Sequence, residues 1–192
     1  MPKKLSRKFY HQETLIVAQE LLGKYIVYNA ERGKLSARIV EVEAYIGSGD
    51  PACHASRGKT KRNEIMFGDA GHVYVYLIYG MYYCMNFVTE KKGFPAAVLL
   101  RACEIDEGFE IAKDYNRKKN NKNILSGPGL FCKAFGITKE QNGLDLTGNI
   151  LYVESRDTKK VEIVSAPRIG ISDGKELLWR FYDKNSISVS GK

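Results

Sequence analysis

A mixed α/β fold of the α+β kind, a mostly antiparallel sheet with short helices around it, is expected from three patterns in these 192 residues. Runs of β-branched and aromatic residues with period-two alternation recur along the chain. The helical patterns between them are few and short. Helices and strands do not follow the regular βαβ rhythm of a parallel sheet. The length suits one domain, taken as residues 1–192, and no linker or internal repeat divides it.

The elements follow in order. Glu13 to Leu22 reads as a helix, with Leu15, Ala18 and Leu22 at helical spacing and Gly23 placed as a C-terminal cap. Lys24 to Glu31 and Leu35 to Tyr45 alternate as strands, and Arg32-Gly33 between them predicts a hairpin. Gly47 to Gly71 lacks periodicity, and an irregular loop of that length inside a domain is often functional. Val73 to Ile78, Tyr82 to Val88 and Ala96 to Cys103 read as strands, with Tyr79-Gly80-Met81 as a tight turn. Ile105 to Tyr115 has helical spacing at Ile105, Phe109 and Ala112, and Leu130 to Phe135 reads as a short helix. Ile150 to Glu154, Val161 to Ser165 and Trp179 to Tyr182 complete the strands.

Composition narrows the function. Apolar residues make up 44% and charged residues 27%, which excludes a disordered tail, a collagen or a coiled coil. Cys53, Cys84, Cys103 and Cys132 are scattered, as are His11, His54 and His72. No metal site with closely spaced ligands is expected, nor a disulfide scaffold. No nucleotide-binding glycine motif appears, so neither a dinucleotide nor a nucleoside triphosphate is indicated. The basic start is followed by no apolar run, and Val73 to Val88 is too short and too polar for a membrane span. A soluble protein is expected, without membrane attachment: cytoplasmic in a prokaryote, nuclear in a eukaryote. The net charge of +8 is by itself only compatible with a nucleic-acid partner.

Three segments carry chemistry. In Arg38 to Tyr45 the pleat places Val40, Val42 and Ala44 on one face, and Ile39, Glu41, Glu43 and Tyr45 on the other. Paired carboxylates serve general-base chemistry and stabilise oxocarbenium-like transition states, though from the octapeptide alone a solvated, ion-paired strand face is the better fit. The loop that follows carries His54 and then Arg57, Lys59, Thr60, Lys61, Arg62 and Asn63, side chains that either contact phosphates or make a solvated loop. In the tyrosine-rich strand, Tyr74, Tyr76 and Ile78 share a face. That face serves either as an aromatic core or as a platform on which bases stack. The turn after it is able to project apolar groups, as wedges that open a duplex do.

In their order these segments resemble the alkyladenine (3-methyladenine) DNA glycosylase family. The resemblance is carried by Ile39 to Tyr45, Asp50 to His54, Arg57 to Asn63 with Met66-Phe67, and Tyr74 through Asn86. Val98 to Ala102, Gly127-Pro128-Gly129, Asn142 to Leu146, Pro167 to Ile171 and Trp179 to Tyr182 continue it, from about Phe9 to Val189. It implies a domain built on a curved antiparallel sheet, acting without metal or cofactor, as a monomer, on double-stranded DNA containing damaged purines. It implies Glu43 as the base that activates water, with Arg101 and the Ile169 carbonyl holding that water. Tyr45, His54 and Tyr76 would sandwich the extruded base, Tyr79 would fill the gap in the duplex, and Asn86 would exclude ordinary guanine. Arg57, Lys59, Thr60, Arg62 and Asn63 would contact phosphate. The family usually has lysine after Gly-Pro-Gly, where this chain has Leu130. One lost phosphate contact lowers the salt dependence of binding by about one counterion. Lys118, Lys119 and Lys122 are candidates to compensate. Leu178 stands where the family often has proline.

Two other readings compete. A non-catalytic nucleic-acid-binding module would use the same stacking and basic groups without needing Glu43 and Arg101 together. A sugar-processing hydrolase would rest on Glu41 and Glu43, but the basic loop speaks against it.

Overall fold

A computed structural model describes residues 1–116, 124–157 and 160–191. The basic run with Lys118, Lys119 and Lys122 therefore lies outside the described residues. Strands β1 (Lys3–Lys4), β2 (Tyr25–Ala30), β3 (Gly33–Ile46), β4 (Val73–Ile78), β5 (Tyr82–Val88), β6 (Ala96–Glu107), β7 (Leu151–Ser155), β8 (Ile163–Ala166) and β9 (Arg180–Asp183) form one open sheet. The main path runs β1-β7-β2-β3-β6-β5-β4, and β9 joins β3 to β8. Every pairing is antiparallel. Helices α1 (Arg7–Tyr10), α2 (Thr14–Leu21), α3 (Phe109–Tyr115) and α4 (Pro128–Phe135) accompany it, so the α+β expectation stands.

Strand β3 organises the sheet. It pairs with β6 along its length, with β2 through residues 33–38, and with β9 through Glu41, Val42 and Glu43. The central half of β3 is thus covered on both edges, and its residues from Ile39 to Ala44 are all fully buried.

The pleat sorts side chains into two layers. Val42, Ala44, Val98, Leu100, Met85, Phe87, Val73 and Val75 face the main core. Val17, Ala18 and Leu21 of α2 and Phe131, Cys132 and Phe135 of α4 pack there too. Tyr74, Val88 and Ala97 lie on the opposite layer, in a smaller cluster with Cys53, Ala55 and Met66 from the 47–71 loop. The four cysteines are buried and free.

Three local departures from the expected pattern have physical causes. The β3–β6 ladder shifts register twice around Glu41, passing from Ile39↔Cys103 through Glu41↔Ala102 to Val42↔Leu100. Val40 and Arg101 are the extra residues of two adjacent bulges, which re-aim side chains. Ile39 therefore joins Val42 in the main core instead of sharing the face of Glu41. The expected helix from Ile105 starts only at Phe109, because β6 continues to Glu107. Gly108 makes the switch at φ 82°, where an added Cβ would lie 2.5 Å from the Lys34 carbonyl oxygen. Finally, the irregular loop holds short 3-10 turns at Gly47–Gly49 and Glu64–Phe67.

Leu100 pairs with Val42 at the centre of the main core and has no exposed surface. Leu100→Ala is expected to lower unfolding free energy by about 2–5 kcal/mol. Leu178→Ala, at a half-exposed position, should change it by less than about 0.5 kcal/mol. Urea titration of both variants checks the contrast.

Candidate active site

The sheet register builds the site. Glu43 of β3 stands opposite Leu99 of β6, Leu99 opposite Asn86 of β5, and Asn86 opposite Tyr74 of β4. At ~4.8 Å between strands this row spans roughly 14 Å. Tyr76 and Cys84 form the next pair along β4 and β5, and Tyr45 opposes Ala97 on β3 and β6. Above this floor lies a cavity of about 690 Å³. That is within the usual range for small-ligand sites. Tyr45, His54, Tyr76, Tyr79, Asn86, Arg101 and Ile169, seven of the expected site residues, line it. Tyr74, on the strand face read as either aromatic core or stacking platform, also lines it, and Met66, Cys84 and Leu99 add walls to which the sequence assigned no site role.

Glu43 sits behind this wall with no exposed surface. Its Oε1 accepts the Ile169 backbone N–H at 2.7 Å and faces Arg101 Nη1 at 3.1 Å. Its Oε2 accepts the Tyr45 hydroxyl at 2.8 Å. Burial first, and the neighbouring Glu43 charge second, push the Tyr45 pKa well above the ordinary phenol value, so this hydroxyl stays a donor.

Glu41, two residues earlier on the same face, is equally buried. It is not the solvated carboxylate that an exposed strand face would carry. Its Oε1 accepts from Arg101 Nε at 3.0 Å and from Arg180 Nε at 2.7 Å. Burial opposes the Arg101 charge, but Glu43 and Glu41 outweigh it and raise the pKa further. Two guanidiniums therefore balance two carboxylates. Lone buried charges would cost several kcal/mol each.

A second buried pair fixes the pocket wall. Arg168 grips Asp50 through both terminal nitrogens, at 2.6 and 2.7 Å, and donates to the Ala44 carbonyl at 3.0 Å. Its guanidinium lies against Tyr45 and Trp179, 4.7 and 5.2 Å from the ring centres. Arg168 was missed as a site residue, although it directly precedes Ile169.

The aromatic side is closely packed. His54 and Tyr76 meet edge to face with ring centres 4.4 Å apart. His54 Nδ1 lies 3.2 Å from the Tyr74 hydroxyl. Burial drives the Tyr74 pKa up to about 12. The Asn86 amide donates to the Tyr74 carbonyl at 3.0 Å, which fixes its plane against the cavity. At the mouth, Tyr79 is 77% exposed at φ 53°, a conformation uncommon for a non-glycine residue. Met81 and Tyr82 stand exposed beside it, so the hairpin tip is an apolar prow.

The basic loop divides. Arg57, Lys59, Thr60, Lys61 and Arg62 are exposed. Arg62 lies 5.6 Å from the Tyr76 ring centre and donates to the Leu77 carbonyl. Asn63 corrects the expectation of a phosphate contact. It is 98% buried, and its side chain is spent inside the loop on Thr60 N–H and on the His54 and Gly58 carbonyls. Leu130 lies at the cavity wall, at the start of α4.

A carboxylate held behind an aromatic cavity, beside a basic loop and an apolar prow, is the kind of site that a base-removing hydrolase needs. Comparison with known proteins specifies the kind. The family model described as Methylpurine-DNA glycosylase (MPG) matches residues 8–187. A protein of Methanocella arvoryzae is 53% identical over 97% of this chain and 95% of its own length. One of Alkaliphilus oremlandii is 48% identical over 98% of this chain and all of its own. One of Clostridium acetobutylicum is 45% identical over 97% of each. All three bear the name "Putative 3-methyladenine DNA glycosylase". The chain belongs to the methylpurine-DNA glycosylase family and is thus a DNA glycosylase, a hydrolase of N-glycosyl bonds.

Desolvation beside the Tyr74 and Tyr76 rings first, and the Arg62 charge second, lower the His54 pKa, although the residue keeps an exposed edge. Free imidazole titrates near 6.5, so the unfolded chain takes up this proton before the folded one does. The stability contributed by neutral His54 is present above about pH 6.5 and is lost as pH falls below it, towards the folded value. NMR titration of the imidazole should give a midpoint below that of a free histidine.

Proposed function

We propose that this enzyme excises alkylated and deaminated purines from duplex DNA: 3-methyladenine, 7-methylguanine, hypoxanthine and ethenoadenine. The carrying observation is the Glu43 carboxylate, fixed by Arg101, Tyr45 and the Ile169 N–H against a cavity walled by aromatic rings. A base inside the stack is out of reach, so the damaged nucleotide turns out of the helix, at a cost of a few kcal/mol that damage lowers. Tyr45, His54 and Tyr76 hold its faces. Alkylated purines can carry positive charge, which electron-rich tyrosine faces attract. Asn86, with its amide plane fixed, excludes the exocyclic amine of guanine.

The chemistry is hydrolysis. A carboxylate offers about four acceptor positions. Three of those on Glu43 are filled, two on Oε1 and one on Oε2. The remaining position, on Oε2, takes the nucleophilic water, which Arg101 and the Ile169 carbonyl help to hold. Glu43 accepts the water proton as oxygen bonds to the anomeric carbon. The N-glycosidic electron pair leaves with the base. Among the described residues no lysine lines the cavity, which supports simple hydrolysis to an abasic site without strand cleavage.

Outside the pocket, Arg57, Lys59, Thr60 and Arg62 contact phosphates, and Tyr79 occupies the gap left by the extruded nucleotide. The strained turn suits that role, since strain held at one exposed side chain often marks function. The protein acts as a monomer, in the cytoplasm of a prokaryotic cell.

Glu43→Gln is expected to slow base release by about 10²–10⁴-fold while lesion binding persists. Alkali cleavage of a duplex with one hypoxanthine or ethenoadenine, and of methylated DNA, reads out the abasic sites. Undiminished release would remove Glu43 from the base role. No abasic sites from the wild-type protein on any of these substrates would overturn the glycosylase mechanism. Tyr79→Ala is expected to weaken binding to lesion duplex by the equivalent of about 1–3 kcal/mol, and gel-shift titration at fixed salt measures it.

A further inference from the structure

The segment after β9 is a set of small polar residues that the fold buries. Ser186, Ser188, Val189 and Ser190 are nearly inaccessible, while Ile187 between them is 72% exposed. The match to the family model ends at residue 187, just before the residues of this segment that reach the catalytic network.

Ser190 spends all its polar groups there. Its backbone N–H donates to Glu41 Oε2 at 2.6 Å. Its hydroxyl donates to Glu41 Oε1 and accepts from Arg101 Nη2, each at 3.0 Å. Its carbonyl accepts from Arg180 Nη2 at 2.9 Å. Gly191 then turns at φ 66° against Ile169, so closely that an added Cβ would lie 2.9 Å from Ile169 Cδ1. The same short segment therefore touches Arg101 and Ile169, both of which hold Glu43.

We infer that Ser190 is a positioning residue, which sets the plane of the Arg101 guanidinium so that Nη1 meets Glu43. A guanidinium is planar and rigid. Nε is pinned by Glu41 and Nη2 by the Ser190 hydroxyl, so the direction of Nη1 is determined. Without the hydroxyl, Arg101 keeps its contacts to Glu41 and Glu43 but loses the third point, on Nη2, that fixes the plane of its guanidinium. Glu43 then loses a fixed donor, and the water on it loses a defined position. Misplacement on the ångström scale is enough to slow a pre-organised reaction. This inference rests on the glycosylase reading, with Glu43 as base.

The test measures single-turnover base release from methylated duplex DNA, with lesion affinity and thermal unfolding measured alongside. Ser190→Ala is expected to slow release about tenfold, equivalent to ~1.4 kcal/mol of barrier, with lesion affinity unchanged. Ser190→Thr restores the hydroxyl and most of the rate. Ser186→Ala is the control. It loosens the same segment at Glu104 and lowers thermal stability without changing the rate. Equal rates for Ser190→Ala and wild type overturn the inference. So do equal rate losses in Ser190→Ala and Ser186→Ala, because the effect would then be general loosening. A wild-type protein that releases no base overturns the glycosylase reading instead.

Discussion

Burying Glu41 and Glu43 side by side is the constraint from which much of the structure follows. Two carboxylates without solvent exposure need two positive partners and a full set of hydrogen-bond donors. Arg101 serves both carboxylates, Arg180 serves Glu41, and the remaining donors come from Tyr45, Ile169 and Ser190. These partners lie on β3, β6, β9, the β8–β9 connection and the segment after β9. The network therefore closes only when the central sheet is assembled. The paired bulges fit this requirement, since they coincide with Glu41 and make Arg101 one of the extra residues of the ladder. The site is not mounted on a finished scaffold. Its charges are among the reasons that the scaffold has its register.

The Asp50–Arg168 pair extends the same logic to the pocket. Asp50 belongs to the loop that carries His54, and Arg168 to the segment that presents Ile169. Their bidentate contact locks the two together, and the Arg168 guanidinium supports one side of the Tyr45 ring. Tyr45 is thus fixed by its hydroxyl on Glu43 and by its ring on Arg168. A ring held at both ends offers a stacking surface at little entropic cost on binding, which favours a selective pocket over an adaptable one.

How much of this was legible in the sequence depends on the range of the interaction. Period-two alternation along β4 put Tyr74 and Tyr76 on one face and Val73 and Val75 on the other, as the two clusters confirm. The Tyr79 turn was readable from Gly80. Ile39 was assigned to the wrong face because a bulge arises from pairing with another strand, and no property of residues 38–45 announces it. Ile105 was read as helical because a strand residue and a helix residue can share spacing across a glycine. Asn63 looked like a phosphate ligand by type, yet its amide closes its own loop. Arg180 and Ser190 carried no local signal at all. Their roles exist only through contacts 139 and 149 residues away along the chain. The resemblance in motifs supplied the site residues that face the cavity, whereas their supports became visible only in three dimensions.

The positive excess of the chain and its tyrosine excess act over different distances. Inside, the buried carboxylates Glu41 and Glu43 are already balanced by Arg101 and Arg180, so the network presents no large net charge to the cavity. The cavity wall is left to aromatic rings and to the Asn86 amide, which is held on the Tyr74 carbonyl. Outside, among the described residues, Arg57, Lys59 and Lys61 form no ion pair within the chain. They remain available to a polyanion, and their long-range attraction is sensitive to salt. Leu130, where the resemblance in motifs leads to an expectation of lysine, stands in the cavity wall at the start of α4. Leu130 adds no charge at that wall, so attraction of a polyanion rests on the exposed cations of the loop.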